Sequence, residues 1–327
     1  MGSLYNGNNG EVVMVGKLTD DTKLSCSQLA PFVGAKDPFK TRNSVLKGCI
    51  DAMSKDYRRS EPEPFTAMHW GNTFENEILL ACASKLKIKA DIDIDKKVVH
   101  KTLPLQGSPD GVGYGKNSTV RNEPEKGIYT PDGAVILDGP GILEAKLTSA
   151  RPSDLPAMFR GVVQAQGLMM CTGYKWCAIP TLYGGINLRI YVYQEDTEMQ
   201  KQISNACVDF NYRLKTFEIE GVTDWYDVED PFDGSNTYIE DFGLPPVKLV
   251  NTDKEIISKY LDACALIKSG QKIKDECTAY FMSIIGNHST AEGQGYRVEW
   301  KTNPAKKGYF VNARESSRSK SIKVKEI

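Results

Sequence analysis

Apolar side chains recur at helical spacing over residues 65–88: Phe74, Ile78, Cys82 and Leu86 lie four apart, with Leu79 beside them. The pattern predicts an amphipathic helix with one buried stripe. Glu75 projects into that stripe, whereas Glu77 falls outside it. An inward carboxylate needs a partner, a proton or a metal ion, because burying it alone costs several kcal/mol. Residues 154–173 carry a second apolar helical pattern, with Met158, Phe159, Val162, Met169 and Met170 on its main face. Gln166 falls inside that face, and Gln164 lies on the other side near Arg160. A buried amide needs hydrogen-bond partners, which an active site can supply. Residues 41–55, 198–217 and 253–285 predict three further helices.

Period-two alternation marks Ile186, Leu188, Ile190 and Val192, so residues 176–193 read as a hairpin turning at Tyr183-Gly184-Gly185. Residues 92–104 predict a strand ending at Gln106-Gly107, and Val112-Gly113-Tyr114 continues it beyond a turn around Asp110. Residues 117–140, rich in Gly, Pro, Asn and acids, read as a loop insertion before an apolar segment at 141–147. Residues 23–34 read as a turn into a short helix capped by Ser25 or Ser27, and a helix start with a free hydroxyl suits phosphate. The order predicts an α/β fold with a mixed central sheet flanked by helices. Residues 1–222 form the core, with the insertion at about 115–140. Residues 223–327 add an extension made of an acidic linker, helices and basic strands, among them YRVEWK, GYFVNA and SIKVKEI.

Composition narrows the class. At 327 residues, with 40% hydrophobic and 25% charged content, the chain has the makeup of an ordinary globular protein. It has no apolar run of about 18 residues, and residues 1–16 lack a basic region followed by an apolar stretch. No membrane contact and a cytoplasmic location are therefore expected. Eight scattered cysteines without a C-x-x-C pair, with only three histidines, argue against zinc and iron–sulfur sites. The net charge of −1 does not mark a nucleic-acid binder, but its distribution is uneven. Residues 217–242 hold nine acids and no Lys or Arg, whereas residues 301–327 hold eight basic residues against two acids. Any affinity for DNA must come from local patches.

The candidate chemistry lies between Gly107-Ser108-Pro109-Asp110-Gly111 and Gly141-Ile142-Leu143-Glu144-Ala145-Lys146. On a strand, residues i and i+2 share a face, so Glu144 and Lys146 project together. Two acids and a lysine at one sheet edge suit a magnesium-dependent phosphodiesterase. The acids hold a hard cation, the cation polarises phosphate and acidifies water, and the lysine orients that water or balances charge. Asp132, in Thr130-Pro131-Asp132-Gly133, and Asp138 lie closer in sequence to Glu144 and rival Asp110. The strand leading into Asp110 favours it.

Pro109-Asp110 with Glu144-Ala145-Lys146 resembles the PD-(D/E)xK nuclease motif. His69-Trp70-Gly71, Phe74-Glu75-Asn76, Leu143 to Leu147 and Gln164-Ala165-Gln166 with Met169 extend the likeness to the phage lambda-exonuclease family of viral recombination nucleases. The resemblance implies a restriction-endonuclease-like fold and 5′-to-3′ exonuclease action on linear duplex DNA, leaving 3′ overhangs for recombination. It implies that Asp110, Glu144 and the Ala145 carbonyl bind one or two Mg²⁺ ions, with Mn²⁺ as a substitute, and that Glu75 completes a second metal position. Lys146 would activate the water, and Gln164 would be the helix glutamine beside the site, where the helical wheel points to Gln166 instead. Ser27, Ser25 and Ser108, with Arg151 and Arg160, would bind DNA and a terminal 5′-phosphate. A homotrimer and a single-strand-annealing protein are the implied partners. A structure-specific endonuclease and a non-catalytic DNA-binding assembly protein are the alternatives. The chain departs from the family in the separation of Asp110 and Glu144, 34 positions (144 − 110), and in lacking an arginine shortly before the first serine, for which Lys17 or Lys23 would stand in.

Overall fold

The computed structural model describes residues 19–59, 65–92, 96–228, 250–303, 317–318 and 323–326. The chain divides into two compact units, Met1–Asp241 and Phe242–Ile327. Among the described residues, no helix is long and apolar enough to cross a membrane.

Among the described residues of the first unit, two 3-10 turns, Cys26–Gln28 and Ala30–Val33, stand where one short helix was expected. Helix α1 (Arg42–Asp51) follows, its first turn closed by the Thr41 hydroxyl, which accepts from the Ser44 amide at 3.0 Å. Helix α2 (Ala67–Leu86) buries Ile78, Leu79, Cys82, Ala83 and Leu86, as its spacing requires, but Phe74 is exposed. The stripe therefore begins one turn later than expected.

Strands β1 (Lys89–Ile92), β2 (Val98–Val99) and β3 (Gln106–Gly107) replace the single strand expected over 92–104. The larger correction concerns residues 117–140, which are not a loop insertion. They complete β4 (Gly111–Val120), supply the short β5 (Ile128–Tyr129) and enter β6 (Val135–Leu143). Strands β4 and β6 are antiparallel from Val120↔Val135 to Gly111↔Leu143, with one bulge next to Asn117. The alternation Val135 buried, Ile136 exposed, Leu137 buried, Asp138 exposed is a strand signature, hidden by the Gly and Pro that follow it.

Strands β7 (Lys146–Thr148), β8 (Trp176–Tyr183) and β9 (Asn187–Gln194) complete a mixed seven-stranded sheet in the order β1-β4-β6-β8-β9-β5, with β7 also on β8. The hairpin expected at 176–193 is β8–β9, paired from Trp176↔Gln194 to Tyr183↔Asn187. Helix α3 (Val162–Thr172) begins later than the predicted 154, because Gly161 holds φ +97°, outside the helical region. Helix α4 (Thr197–Glu220) is capped by Asp196, whose carboxylate accepts from the Glu198 and Met199 amides.

The sheet is covered on both faces. Leu79, Cys82 and Leu86 of α2 pack with Leu143, Trp176 and Ala178. On the opposite face, Val163 and Leu168 of α3 and Phe210 of α4 pack with Ile142, Cys177 and Ile179. Trp176 fits only because Gly113 and Gly141, register partners in β4 and β6, carry no side chains beneath its ring.

In the second unit, helix α5 (Asn251–Ile285) matches the predicted block. Strands β10 (Thr290–Gly293), β11 (Tyr296–Glu299) and β14 (Lys323–Glu326) form an antiparallel sheet, and β12 (Thr302–Asn303) pairs with β13 (Ser317–Arg318). The GYFVNA strand and most of the acidic linker lie outside the described residues.

A Cβ at position 141 would overlap the Trp176 indole within the core. Gly141→Ala is expected to cost about 2 kcal/mol or more in urea unfolding, whereas Gly173→Ser, at an open helix end, changes stability less, by the ~1 kcal/mol of its left-handed backbone.

Candidate active site

Strand pairing assembles the acids. Gly111 of β4 lies opposite Leu143 of β6, so the residues just outside the ladder, Asp110 and Glu144, come side by side at the end of a long hairpin. Strands β6 and β7 then pair with β8 in one register: Ile142↔Cys177 and Lys146↔Thr181 have the same offset (177 − 142 = 35 and 181 − 146 = 35). They are one strand interrupted at Glu144-Ala145.

The interruption has a covalent cause. The Glu144 amide donates to the Ala178 carbonyl at 3.1 Å, and the next bond in a parallel ladder would come from residue 180. Residue 180 is Pro180, which has no N–H. On the other edge β4 has ended, and the Ala145 amide donates to Asp110 Oδ2 at 2.8 Å instead of to a strand. In an extended chain a residue's carbonyl leaves from the same edge as its amide, so the Ala145 carbonyl lies on the Asp110 side.

Glu144 is only 1% exposed, and its Oε1 accepts from Lys146 Nζ at 2.5 Å. Lys146 Nζ also donates to Gln164 Oε1 at 3.3 Å. The Glu144 Oε2 atom is buried and receives no hydrogen-bond donor. Asp110 lies close enough to act on the charge of Glu144. Burial first, and the neighbouring Asp110 second, push the Glu144 carboxyl up to about 8, against the pull of Lys146. Burial also raises Asp110, opposed by Lys146 and by the Ala145 amide. Lys146 is raised above its ordinary value because Glu144, Asp110 and Glu75 outweigh its burial, so it stays an ammonium at neutral pH. Two facing carboxyls with one ammonium need one more positive charge, which a proton or a metal cation supplies.

The donor set fits a hard divalent cation. Asp110, the unbonded Glu144 oxygen and the Ala145 carbonyl offer oxygen donors, and magnesium takes one or two carboxylates with water and phosphate completing its shell. Glu75 approaches from α2 closely enough to act electrostatically on Lys146. Among the described residues, no three acidic, His or Cys side chains gather tightly enough to hold an ion by themselves.

Gln166 is a correction to the wheel-based expectation. It is buried, but Nε2 donates to the Gln194 carbonyl at 2.9 Å, and Oε1 accepts from the Asp196 amide at 3.0 Å and from Gln200 Nε2 at 3.1 Å. The partners its burial demanded belong to the β9–α4 junction, and Gln164 is the glutamine beside Lys146. Asp132 and Asp138 are exposed. Asp138 sits on β6 opposite Lys116, and neither replaces Asp110.

Of the expected phosphate-binding residues, Ser25 is buried and its hydroxyl is within hydrogen-bonding distance of Gln28 Oε1 and Ser27 Oγ, so it is a structural residue of the turn. Ser27 is exposed, and Ser108 is half-buried with its hydroxyl donating to the Lys96 carbonyl at 3.3 Å. Lys23 pairs with Asp20, and Lys17 lies outside the described residues. Arg151 is exposed on the loop after β7, and Arg160 donates to the Thr148 hydroxyl at 2.8 Å. Sequence reasoning missed Gly161: a Cβ there would stand 3.0 Å from Lys146 Cε and 3.2 Å from Ile179 Cγ2. A glycine directly before a helical pattern was the available signal.

No family model matches the chain, and no curated protein matches it. Among solved structures it is similar to an alkaline exonuclease, LHK-Exo, from Laribacter hongkongensis, determined in complex with dAMP, at 16% identity over 61% of this chain and 93% of that one, with a TM-score of 0.42. It is also similar to a phage-related exonuclease from Haemophilus somnus 129PT, at 12% identity over 61% of this chain and 96% of that one, with a TM-score of 0.43. At these scores the functional reading rests on the side chains of the site.

The raised carboxyl of Glu144 makes the metal-free fold pH-sensitive in a definite direction. Its folded pKa of about 8 exceeds its ordinary 4.5, so stability is unaffected below the lower value and falls as pH rises between the two. In chelator, Glu144→Gln should match the parent near pH 5 and exceed it by ~1 kcal/mol or more near pH 9 in urea unfolding. A gap that does not widen with pH contradicts the assignment.

Proposed function

We propose that this chain is a metal-dependent deoxyribonuclease that hydrolyses DNA phosphodiesters from the ends of linear duplexes. The observation that carries the reading is the buried Glu144 beside Asp110, closed by Lys146 and short of one positive charge. A bound Mg²⁺, with Mn²⁺ as a substitute, would polarise the scissile phosphate and acidify water there. Asp110, Glu144 and the Ala145 carbonyl would hold it.

The protein's own groups do the rest. Lys146 remains protonated, so its ammonium does not take a proton from water. It donates hydrogen bonds that orient the attacking water and offsets the charge that builds on the phosphate oxygens. Gln164 holds Lys146 Nζ from α3, while Glu144 Oε1 holds it from the sheet, which fixes the ammonium against rotation. Glu75 adds negative potential that keeps Lys146 charged.

The 5′-to-3′ direction, the production of 3′ overhangs for recombination, a ring-forming homotrimer and an annealing-protein partner belong to this reading through the resemblance to the lambda-exonuclease family. The rival within enzymes is a structure-specific endonuclease of the same superfamily. The rival outside them, a DNA-binding assembly protein, is disfavoured because the acids and the lysine are all present, with Lys146 bonded to Glu144 and Asp110 held by the Ala145 amide.

With Mg²⁺, linear duplex DNA labelled separately at each end should be shortened from its 5′ ends, and covalently closed circles should stay intact. Lys146→Ala and Asp110→Asn should each lower the rate about a hundredfold or more. Cleavage of closed circles would favour the endonuclease, and undiminished hydrolysis by Lys146→Ala would remove this site from the chemistry.

A further inference from the structure

Two aromatic–cation dipeptides from distant parts of the chain, Phe39-Lys40 and Phe159-Arg160, meet beside the carboxylates. The Phe39 and Phe159 rings lie 6.3 Å apart, inclined at 66°. The Arg160 guanidinium stands 5.0 Å over the Phe159 ring and donates to Thr148, the last residue of β7. On the other side, Lys40 Nζ donates to the Ser27 carbonyl at 3.1 Å. The Phe39 amide donates to Asp37 Oδ1 at 2.8 Å, which commits the nearest acid of that loop to holding its shape. The loop is thus built in place, yet Phe39 is 72% exposed.

Phe39 is not a lone surface ring: it pairs with Phe159, and the Arg160 guanidinium stands over that second ring. The strip is continuous with the catalytic groups. Arg160 precedes Gly161, and Gly161 backs directly onto Lys146 and Glu144. An exposed ring edge-on to a second ring that carries a guanidinium, with a lysine next in sequence, complements one class of ligand, an unpaired nucleotide with its flanking phosphates.

We propose that Phe39, Lys40, Phe159 and Arg160 form a nucleotide-binding rim, with the base stacked on the exposed face of Phe39 and the phosphates held by Lys40 and Arg160. The identity of the ligand rests on the nuclease reading above. Lys40 then supplies, from a different position in the sequence, a cation beside Ser27, whereas Lys23 is paired with Asp20.

The test is binding of the full chain to a short fluorescein-labelled DNA single strand in chelator, followed by anisotropy over a series of salt concentrations. Phe39→Ala and Phe159→Ala should each weaken binding about tenfold without changing the salt slope, since one stacked base is lost. Phe39→Trp should retain wild-type affinity. Lys40→Ala and Arg160→Ala should each reduce the slope by about 0.7, the value for one phosphate contact on a single strand. Wild-type affinity in Phe39→Ala and Phe159→Ala overturns the rim. So does a fall in molecular mass in those variants without a change in DNA affinity, which would mark the surface as a contact between copies of the chain. If the wild-type chain neither binds nor hydrolyses DNA, the nuclease reading itself has failed; if it hydrolyses DNA while the four variants bind normally, only the rim has.

Discussion

The site depends on one pairing, Gly111 against Leu143 at the open end of the β4–β6 hairpin. Asp110 and Glu144 are 34 positions apart in sequence (144 − 110), and a flexible loop of that length would leave their separation undefined. An antiparallel ladder converts the separation into a register. Every pair from Val120↔Val135 onward must be in step for the two acids to face each other. A slip by one residue would turn Glu144 to the opposite face of the sheet, away from α3. The core resists such a slip, because Gly113 and Gly141 must both lie under the Trp176 ring.

Within this frame the local chemistry works against the fold's own stability. Glu144 is buried beside a second acid with one oxygen lacking a donor, and its proton affinity is raised accordingly. A protein selected only for stability would place an amide or an apolar side chain there. The surrounding groups reduce the penalty without removing it: the Ala145 amide takes Asp110, and Lys146 takes Glu144. What is left is a preference for one more cation at a fixed place, which is the property a metal-dependent hydrolase needs before its substrate arrives.

Much of this was legible in the sequence, and the failures have physical causes. The i, i+2 relation of Glu144 and Lys146 predicted a shared face, and the bond between them follows from it. The hairpin at Tyr183-Gly184-Gly185 and the long helices were legible because periodicity over many residues outweighs local noise. The stretch 117–140 was misread because Gly139 and Pro140, inside β6, look like loop punctuation. Its strand pairing is non-local, so only the short Val135-Ile136-Leu137-Asp138 alternation betrayed it. Pro180 carries no sign of its role until the register shows which carbonyl it leaves without a donor.

The two glutamines of α3 show most clearly where wheel arguments stop. A wheel reports that Gln166 is buried and in need of partners, both of which are correct, but it cannot say which wall of the core supplies them. The answer is set by where the helix starts. Gly161 ends the preceding chain in a left-handed conformation and lets the helix begin against Lys146 with no side chain between them. From that origin Gln164, in the first turn, meets the ammonium, and Gln166, two residues on, points to the β9–α4 junction. Gln166 thus clamps the helix through three hydrogen bonds while Gln164 works at its other side. A structural amide on one wall of α3 fixes the reach of a functional amide on the other, so that core packing and site geometry are set by the same eleven-residue helix.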